Sequence, residues 1–385
     1  MKALFLESLP YRSAYRVGSH HYASGFVADG WDVLWLSQPL SPLHFLHPVK
    51  RDWAERVEGW RHGPLDRDGL RYYSPMTLLP TGPQPLLRSS AVAERSVLST
   101  VPPLLSVLRR EGFERPDLVW LTNPVYQPLA EKLSPQCLAM RIADDHTRFR
   151  NVPASVAALE RRALDRADVV FAVARGIHDR LAADRANVVP LPNGVDFEHF
   201  STAADEPADL AAIPAPRAVY VGALEYWFDA ELLAKTARSL PDVSFVVIGP
   251  GSAEGGDLEH LPNVHLLGAR PYDELPAYLQ HCDIGIVPFR RDEMVDAIHP
   301  IKVYEYLAAG LPVVSTRWPE LEHMGAPITM VEPDSFDAAV AGALRERPED
   351  GRATRLAYAA ANSWNERYGI VRDAVNAIIT GEQDG

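Results

Sequence analysis

The chain has 385 residues, of which 47% are hydrophobic and 23% charged, and its formal net charge is −13. That length exceeds one compact core and predicts two or three domains, and the apolar share is that of a globular protein able to bury them. The acidic balance argues against a nucleic-acid binder held by phosphate contacts, while leaving room for a local basic patch, and no apolar run approaches the roughly 18 residues that would span a bilayer.

Residues 3–7 form a short apolar run closed by Ser8-Leu9-Pro10 and read as a buried first strand. A loop follows over 11–21, then a helical stretch that Gly30 ends, then a second strand over 31–37. Open α/β sheets place ligands at the loop after the first strand, which makes His20 and His21 candidate substrate contacts. The loop lacks G-x-G-x-x-G, so a nicotinamide or flavin cofactor is not expected. Residues 38–69 are irregular and rich in Pro, His, Trp and Arg. Within them Asp66-Arg67-Asp68 has the spacing of a metal-binding carboxylate pair, but flanking glycines make a turn the stronger reading. A strand is predicted over 70–76 and a helical run over 90–111.

Regular alternation begins there. Strands are predicted over 117–122, 137–143, 168–174 and 188–191, with a charged helix over 154–166. A polar, Ala- and Pro-rich stretch over 200–216 reads as a linker. A second alternation supplies strands over 218–223, 243–248, 264–267, 284–289, 312–316 and 328–331. The tail over 352–379 reads as helical, anchored by Trp364 and Tyr368. Two successive alternations predict an α/β protein with two parallel-sheet domains. The expected boundaries are 1–204, 205–355 and a tail at 356–385. Cys137 and Cys282 lie far apart inside apolar runs, which predicts buried free thiols, a reducing compartment and no metal site. A cytoplasmic location is the expectation, since the first residues lead straight into a strand.

The most informative stretch is His299-Pro300-Ile301-Lys302-Val303-Tyr304-Glu305, running on to Gly310-Leu311-Pro312. Pro300 suits the first helical position and Gly310 the residue just past the end. Lys302 and Glu305, three apart, share a face. A lysine in the first helical turn opposes the helix dipole unless an anion such as a phosphate binds there. An exposed salt-bridged pair on an ordinary helix is the competing reading. A second candidate is Arg141-Ile142-Ala143-Asp144-Asp145-His146, two carboxylates and a histidine directly after a strand. Either carboxylate can serve as a general base, or merely cap the next segment. Three further strand ends carry glycine: Gly222 with Tyr226 beyond it, Gly249, and Gly268 followed by Arg270. Glycine there lets a ligand approach the backbone closely.

Together these residues resemble the GT-B nucleotide-sugar glycosyltransferases, two Rossmann-like domains facing across a cleft with a C-terminal helix crossing back to the first domain. The resemblance rests on Leu191-Pro192-Asn193-Gly194-Val195-Asp196, Asn263-Val264-His265-Leu266-Leu267-Gly268, Asp283-Ile284-Gly285-Ile286-Val287-Pro288 and the helix at 300–310, in that order. The Arg141–Asp144 segment and Lys302 look like those of bacterial polysaccharide-assembly enzymes such as the xanthan glucuronosyltransferase.

The resemblance implies transfer of a sugar from a nucleoside-diphosphate donor, UDP-sugar favoured, to a hydroxyl of a glycan, lipid-linked or small-molecule acceptor. Donor contacts would be Gly222, Tyr226, Gly249, Gly268, Arg270, His299, Lys302 and Glu305, and acceptor contacts Gly18, His20 and His21. Asp144 would act as base with Asp145 and His146 beside it, without metal or cofactor. Many retaining members carry two glutamates eight apart; here the first position is Ala297, so inversion is the expectation. A retaining enzyme of the same fold is the alternative, followed by a nucleotide-sugar epimerase. Trp53, Trp60, Arg51 and Arg56 suggest peripheral contact at the inner face of a membrane.

Overall fold

The computed structural model describes residues 1–13, 16–46, 53–82, 84, 86–143, 153–251, 257–347 and 349–381. The chain divides into two compact units: Met1–Pro192 with Tyr368–Gly385, and Asn193–Arg367. The division falls earlier than the 200–216 stretch because residues after Pro192 already belong to the second core, where Val195 and Phe200 are fully buried.

The first unit is built on an eight-stranded sheet. Its strands are β1 (Lys2–Leu6), β2 (Asp32–Leu36), β3 (Leu65–Arg67), β4 (Leu70–Tyr73), β5 (Leu118–Leu121), β6 (Cys137–Ile142), β7 (Val169–Ala172) and β8 (Val188–Pro190). They run in the order β3-β4-β2-β1-β5-β6-β7-β8, all neighbours parallel except the β3–β4 pair. Strands buried on both faces read as continuous apolar runs, which is why 3–7 and 137–143 were legible. On one face the helix Gly18–Ala28 sets Tyr22 and Phe26 against Phe5 and Trp120.

The second unit carries six strands: β9 (Arg217–Val221), β10 (Ser244–Ile248), β11 (Val264–Gly268), β12 (Ile284–Val287), β13 (Val313–Thr316) and β14 (Thr329–Val331). All are parallel, in the order β11-β10-β9-β12-β13-β14. The order reverses between β9 and β12, the switch point at which doubly wound sheets receive ligands. The helix Ile301–Ala308 enters from β12 and docks through Tyr306, whose hydroxyl accepts the Val221 backbone N–H at 2.7 Å. Gly285 makes room for it, since a β-carbon there would stand 2.4 Å from the Tyr306 ring.

The tail returns to the first unit as expected. Helix Trp364–Thr380 lays the Tyr368 ring over Gly25 and donates its hydroxyl to Asp29 at 2.7 Å. One detail agrees with the sequence reading of a turn and two differ from it. Asp66-Arg67-Asp68 belongs to a hairpin: β3 and β4 join through Asp68 and Gly69, both at positive φ. The helical run over 90–111 is two helices, Ser90–Ser96 and Leu104–Arg110, parted by Pro102 and Pro103, which cannot extend a helix. The tail is likewise broken, at Asn362-Ser363.

Candidate active site

In the second unit three glycines singled out from the sequence come together along one sheet edge. Gly222 follows β9, Gly249 follows β10 and Gly268 ends β11, and these strands are adjacent. Gly222 N–H donates to Ile248 O at 2.8 Å and Gly249 N–H to Gly268 O at 3.0 Å, so the backbone is laced across the three ends. Gly222 adopts φ +151°, and a β-carbon there would lie 2.5 Å from Lys302 Nζ. The lysine therefore reaches from its helix to the sheet edge and rests where only glycine leaves space.

Lys302 occupies the second residue of helix Ile301–Ala308, with Pro300 at the N-cap, one position before the first-turn place foreseen for it. Gly310 lies just past the C-cap at φ +84°, as its spacing foresaw. The ammonium sits 4.0 Å from the Tyr220 ring centroid and 4.6 Å from that of Phe289. Tyr220 is in β9, two residues before Gly222 and so on the same face, and Phe289 follows β12. Neither aromatic was singled out from the sequence; the period-two step back from Gly222 was the signal available for Tyr220.

Lys302 and Glu305 keep some accessible surface while protein surrounds them on the remaining sides. Burial pushes the Lys302 ammonium down to about 7, and the nearby Glu305 carboxylate pulls it back up. Burial likewise pushes the Glu305 carboxyl up to about 7, opposed by Lys302. The two groups act on each other through space and form no direct ion pair, so this is not the exposed salt bridge of an ordinary helix surface. Such groups gain most from a ligand that brings the missing charge and hydrogen bonds.

The other expected donor residues are placed differently. His299 is buried just before the helix, its ring stacked on Tyr304, and its carbonyl accepts from Asn193 Nδ2 at 2.9 Å. Arg270 is committed locally, with Asp209 at 2.7 Å and the Tyr278 hydroxyl at 2.9 Å. Tyr226 is half exposed against Met294 and Trp227.

In the first unit Gly18 opens the helix Gly18–Ala28 and is buried with His20. His20 is an anchor of the first loop: Nδ1 accepts from Val17 N–H at 3.1 Å and Nε2 faces Pro10 O at 3.3 Å. Burial pushes its pKa down to about 4, so the ring is neutral. His21 is half-buried beside it. At the same sheet edge Glu7, buried after β1, accepts from the Thr122 hydroxyl at 2.6 Å with Arg141 close enough to lower its raised pKa. Asp144, Asp145, His146 and Arg51 lie outside the described residues. Among the described residues no group of three or more His, Cys, Asp or Glu is placed to share a metal ion, and no helix is long and apolar enough to cross a membrane.

Residues 215–349, which contain the glycine edge and the Lys302–Glu305 helix, match the family described as glycosyl transferases group 1. This segment belongs to the group 1 glycosyltransferases. The chain is similar to TuaH of Bacillus subtilis (strain 168), named as a teichuronic acid biosynthesis glycosyltransferase, with 31% identity over 44% of this chain and 45% of that one. It is also similar to the UDP-glucuronate:glycolipid 2-beta-glucuronosyltransferase of Xanthomonas campestris pv. campestris, with 26% identity over 64% and 58%. The chain thus spans about half the length of these relatives.

Among solved structures, sucrose-phosphate synthase from Thermosynechococcus elongatus shares the fold at TM-score 0.69 and 14% identity, covering 99% of this chain and 100% of that one. HepE of Anabaena in complex with UDP does so at TM-score 0.61 and 15% identity, covering 98% and 100%. The two parallel-sheet units are those of the GT-B fold, and the group 1 segment is its second unit.

Proposed function

We propose that the protein is a glycosyltransferase that moves a sugar from a UDP-sugar to a hydroxyl of a glycan or lipid-linked acceptor. The observation that carries this reading is the Lys302–Glu305 pair set against Gly222 at the switch point of a group 1 segment. The diphosphate lies against Lys302 and the start of its helix, the ribose hydroxyls donate to Glu305, and the backbone of 268–270 meets the nucleobase. As the sugar–phosphate bond breaks, charge grows on the leaving diphosphate. A lysine already held in place stabilises that charge without reorganisation, and removing one such group costs about 3 kcal/mol of barrier. UDP as the leaving group is supported by the UDP complex of HepE and by the donor named for the Xanthomonas relative. That relative's glycolipid supports a lipid-linked acceptor here.

On stereochemistry, the group 1 match supports retention better than the inversion expected from Ala297 and the Arg141–Asp144 segment. An inverting reaction needs a base such as Asp144 to take the acceptor proton. The test has two arms. Thermal-shift screening of nucleoside diphosphates should single out UDP, because a ligand of the native state raises apparent stability. NMR of the anomeric proton in the product then separates retention from inversion, and full activity of Asp144→Asn would remove that residue from the chemistry. A protein stabilised by no nucleoside diphosphate sinks the donor reading.

A further inference from the structure

We propose that Tyr220 and Phe289 form an aromatic seat that positions the Lys302 ammonium for the donor diphosphate, so that these two rings are positioning residues for donor binding. The inference rests on the donor reading above and adds the residues that make it work. A lysine side chain has four rotatable bonds and a strongly hydrated head, and it loses much freedom when fixed to one place. Here the ammonium is fixed without a carboxylate in ion-pair contact: its closest charged neighbour acts only through space, while two ring faces lie 4.0 and 4.6 Å from it. Ring faces attract a cation through their quadrupole, most strongly where water is excluded. Unlike a carboxylate, they leave the positive charge uncompensated for an arriving anion.

The rings are themselves held. Tyr220 donates its hydroxyl to Ala223 O at 3.0 Å and packs on Phe228 at 4.7 Å between centroids. Phe289 is stacked on Trp318 at 5.5 Å, and its N–H and carbonyl are both bonded to the Thr316 hydroxyl. Both side chains are buried. Gly222 completes the seat by leaving the volume that Lys302 Nζ occupies.

The experiment has a first readout that needs no ligand. The chain contains five lysines, Lys2, Lys50, Lys132, Lys235 and Lys302. In protein labelled with carbon-13 lysine, the Lys302 ε-methylene protons, assigned by Lys302→Met, should be shifted upfield of the other four by ring currents. Calorimetry with UDP, uridine and inorganic pyrophosphate then tests the role. Tyr220→Leu and Phe289→Leu should each weaken UDP about tenfold or more and leave uridine within about twofold, while Tyr220→Phe keeps most of the UDP affinity.

An unshifted Lys302 signal overturns the seat. So does an equal loss of UDP and uridine, which is the mark of a merely structural role, or a Tyr220→Phe variant as weak as Tyr220→Leu. A wild-type protein that binds pyrophosphate with the same variant pattern but not UDP removes the nucleotide and keeps the seat. One that binds neither overturns both readings.

Discussion

Gly249 meets Gly222 backbone to backbone: a β-carbon on Gly249 would stand 1.8 Å from the Gly222 carbonyl oxygen. No side-chain rotation relieves such a contact, because the atom it strikes belongs to a strand end tied down by the Gly222 N–H bond to Ile248. Overpacking costs about 1–3 kcal/mol where side chains can yield, and Gly249→Ala should reach or exceed the upper end. Gly268→Ala is the control. It also sits at positive φ, +71°, but its β-carbon would meet nothing within 4 Å, so only backbone strain of about 1–2 kcal/mol applies. Thermal midpoints should fall much further for Gly249→Ala, with loss of UDP binding. Equal falls would show that the two strand ends can part.

Proton uptake should accompany UDP binding above neutral pH. Burial holds the Lys302 ammonium down to about 7, so near pH 8 much of it is uncharged in the free protein. A bound diphosphate favours the charged form and raises that value, so the complex takes up a proton and affinity falls as pH rises above 7. Below 7 Lys302 is already protonated and contributes no uptake. Glu305, pushed up to about 7, is partly neutral there, and ribose hydroxyls that donate to it favour its ionised form. Binding between about 4.5 and 7 should therefore release protons. Calorimetry in two buffers of different ionisation enthalpy reads both signs. Glu305→Gln should abolish the release limb and Lys302→Met the uptake limb.

The same shift has a cost in the unliganded protein. Because Lys302 titrates lower when folded than its ordinary 10.5, the unfolded chain binds more protons between about 7 and 10.5. Its destabilisation is fully present below 7 and relieved as pH climbs through that window. Lys302→Met should accordingly raise the thermal midpoint more at pH 6.5 than at pH 10. A midpoint gain independent of pH would mean that packing, and not the buried charge, sets the difference.

Much of this could be read from residues alone, and the reasons for the rest are physical. Strands buried on both faces write themselves as apolar runs, so β1, β6, β9 and β12 were foreseen, as was the end of the helix at Gly310. Helix breaks at Pro102-Pro103 and Asn362-Ser363 were missed because apolar spacing continues across them. His20 shows the opposite failure. Its place after the first strand suggested substrate contact, but only packing reveals that both ring nitrogens face backbone atoms. The Lys302–Glu305 face followed from helical periodicity, whereas Tyr220 joins it from β9 and Phe289 from the segment after β12, a meeting that spacing along one segment cannot encode.

Tyr368 is one of the residues through which the tail packs into the first unit, with Val371 and Val375 buried beyond it. Its ring lies over Gly25, at 2.6 Å from where a β-carbon would be, makes an edge contact with Phe26 at 5.2 Å, and its hydroxyl donates to Asp29. Tyr368→Ala removes that buried ring and should cost about 3–5 kcal/mol, as large aromatic truncations do. Gly25→Val should cost a comparable amount by displacing the ring from the other side. Because they attack one contact, the double variant should be less destabilised than the sum of the two singles. Additive losses would show that the contact carries little energy.

Arg270 separates backbone from side-chain recognition of the donor. Its guanidinium is engaged by Asp209 at 2.7 Å and by the Tyr278 hydroxyl at 2.9 Å, with its carbon 5.7 Å from the Tyr278 ring centroid. With the guanidinium so engaged, the proposed base contact falls to the backbone at the end of β11, where the Gly268 carbonyl already accepts from Gly249 N–H. Both partners keep solvent exposure, which limits the network's worth to about 1 kcal/mol. Arg270→Ala should therefore lower the thermal midpoint slightly and leave UDP affinity within about threefold, well under the tenfold that 1.4 kcal/mol represents. Asp209→Asn should behave in the same way. If Arg270→Ala instead weakened UDP more than tenfold while Asp209→Asn did not, the guanidinium would have to leave Asp209 and take the base itself, and the donor segment would be read by that side chain.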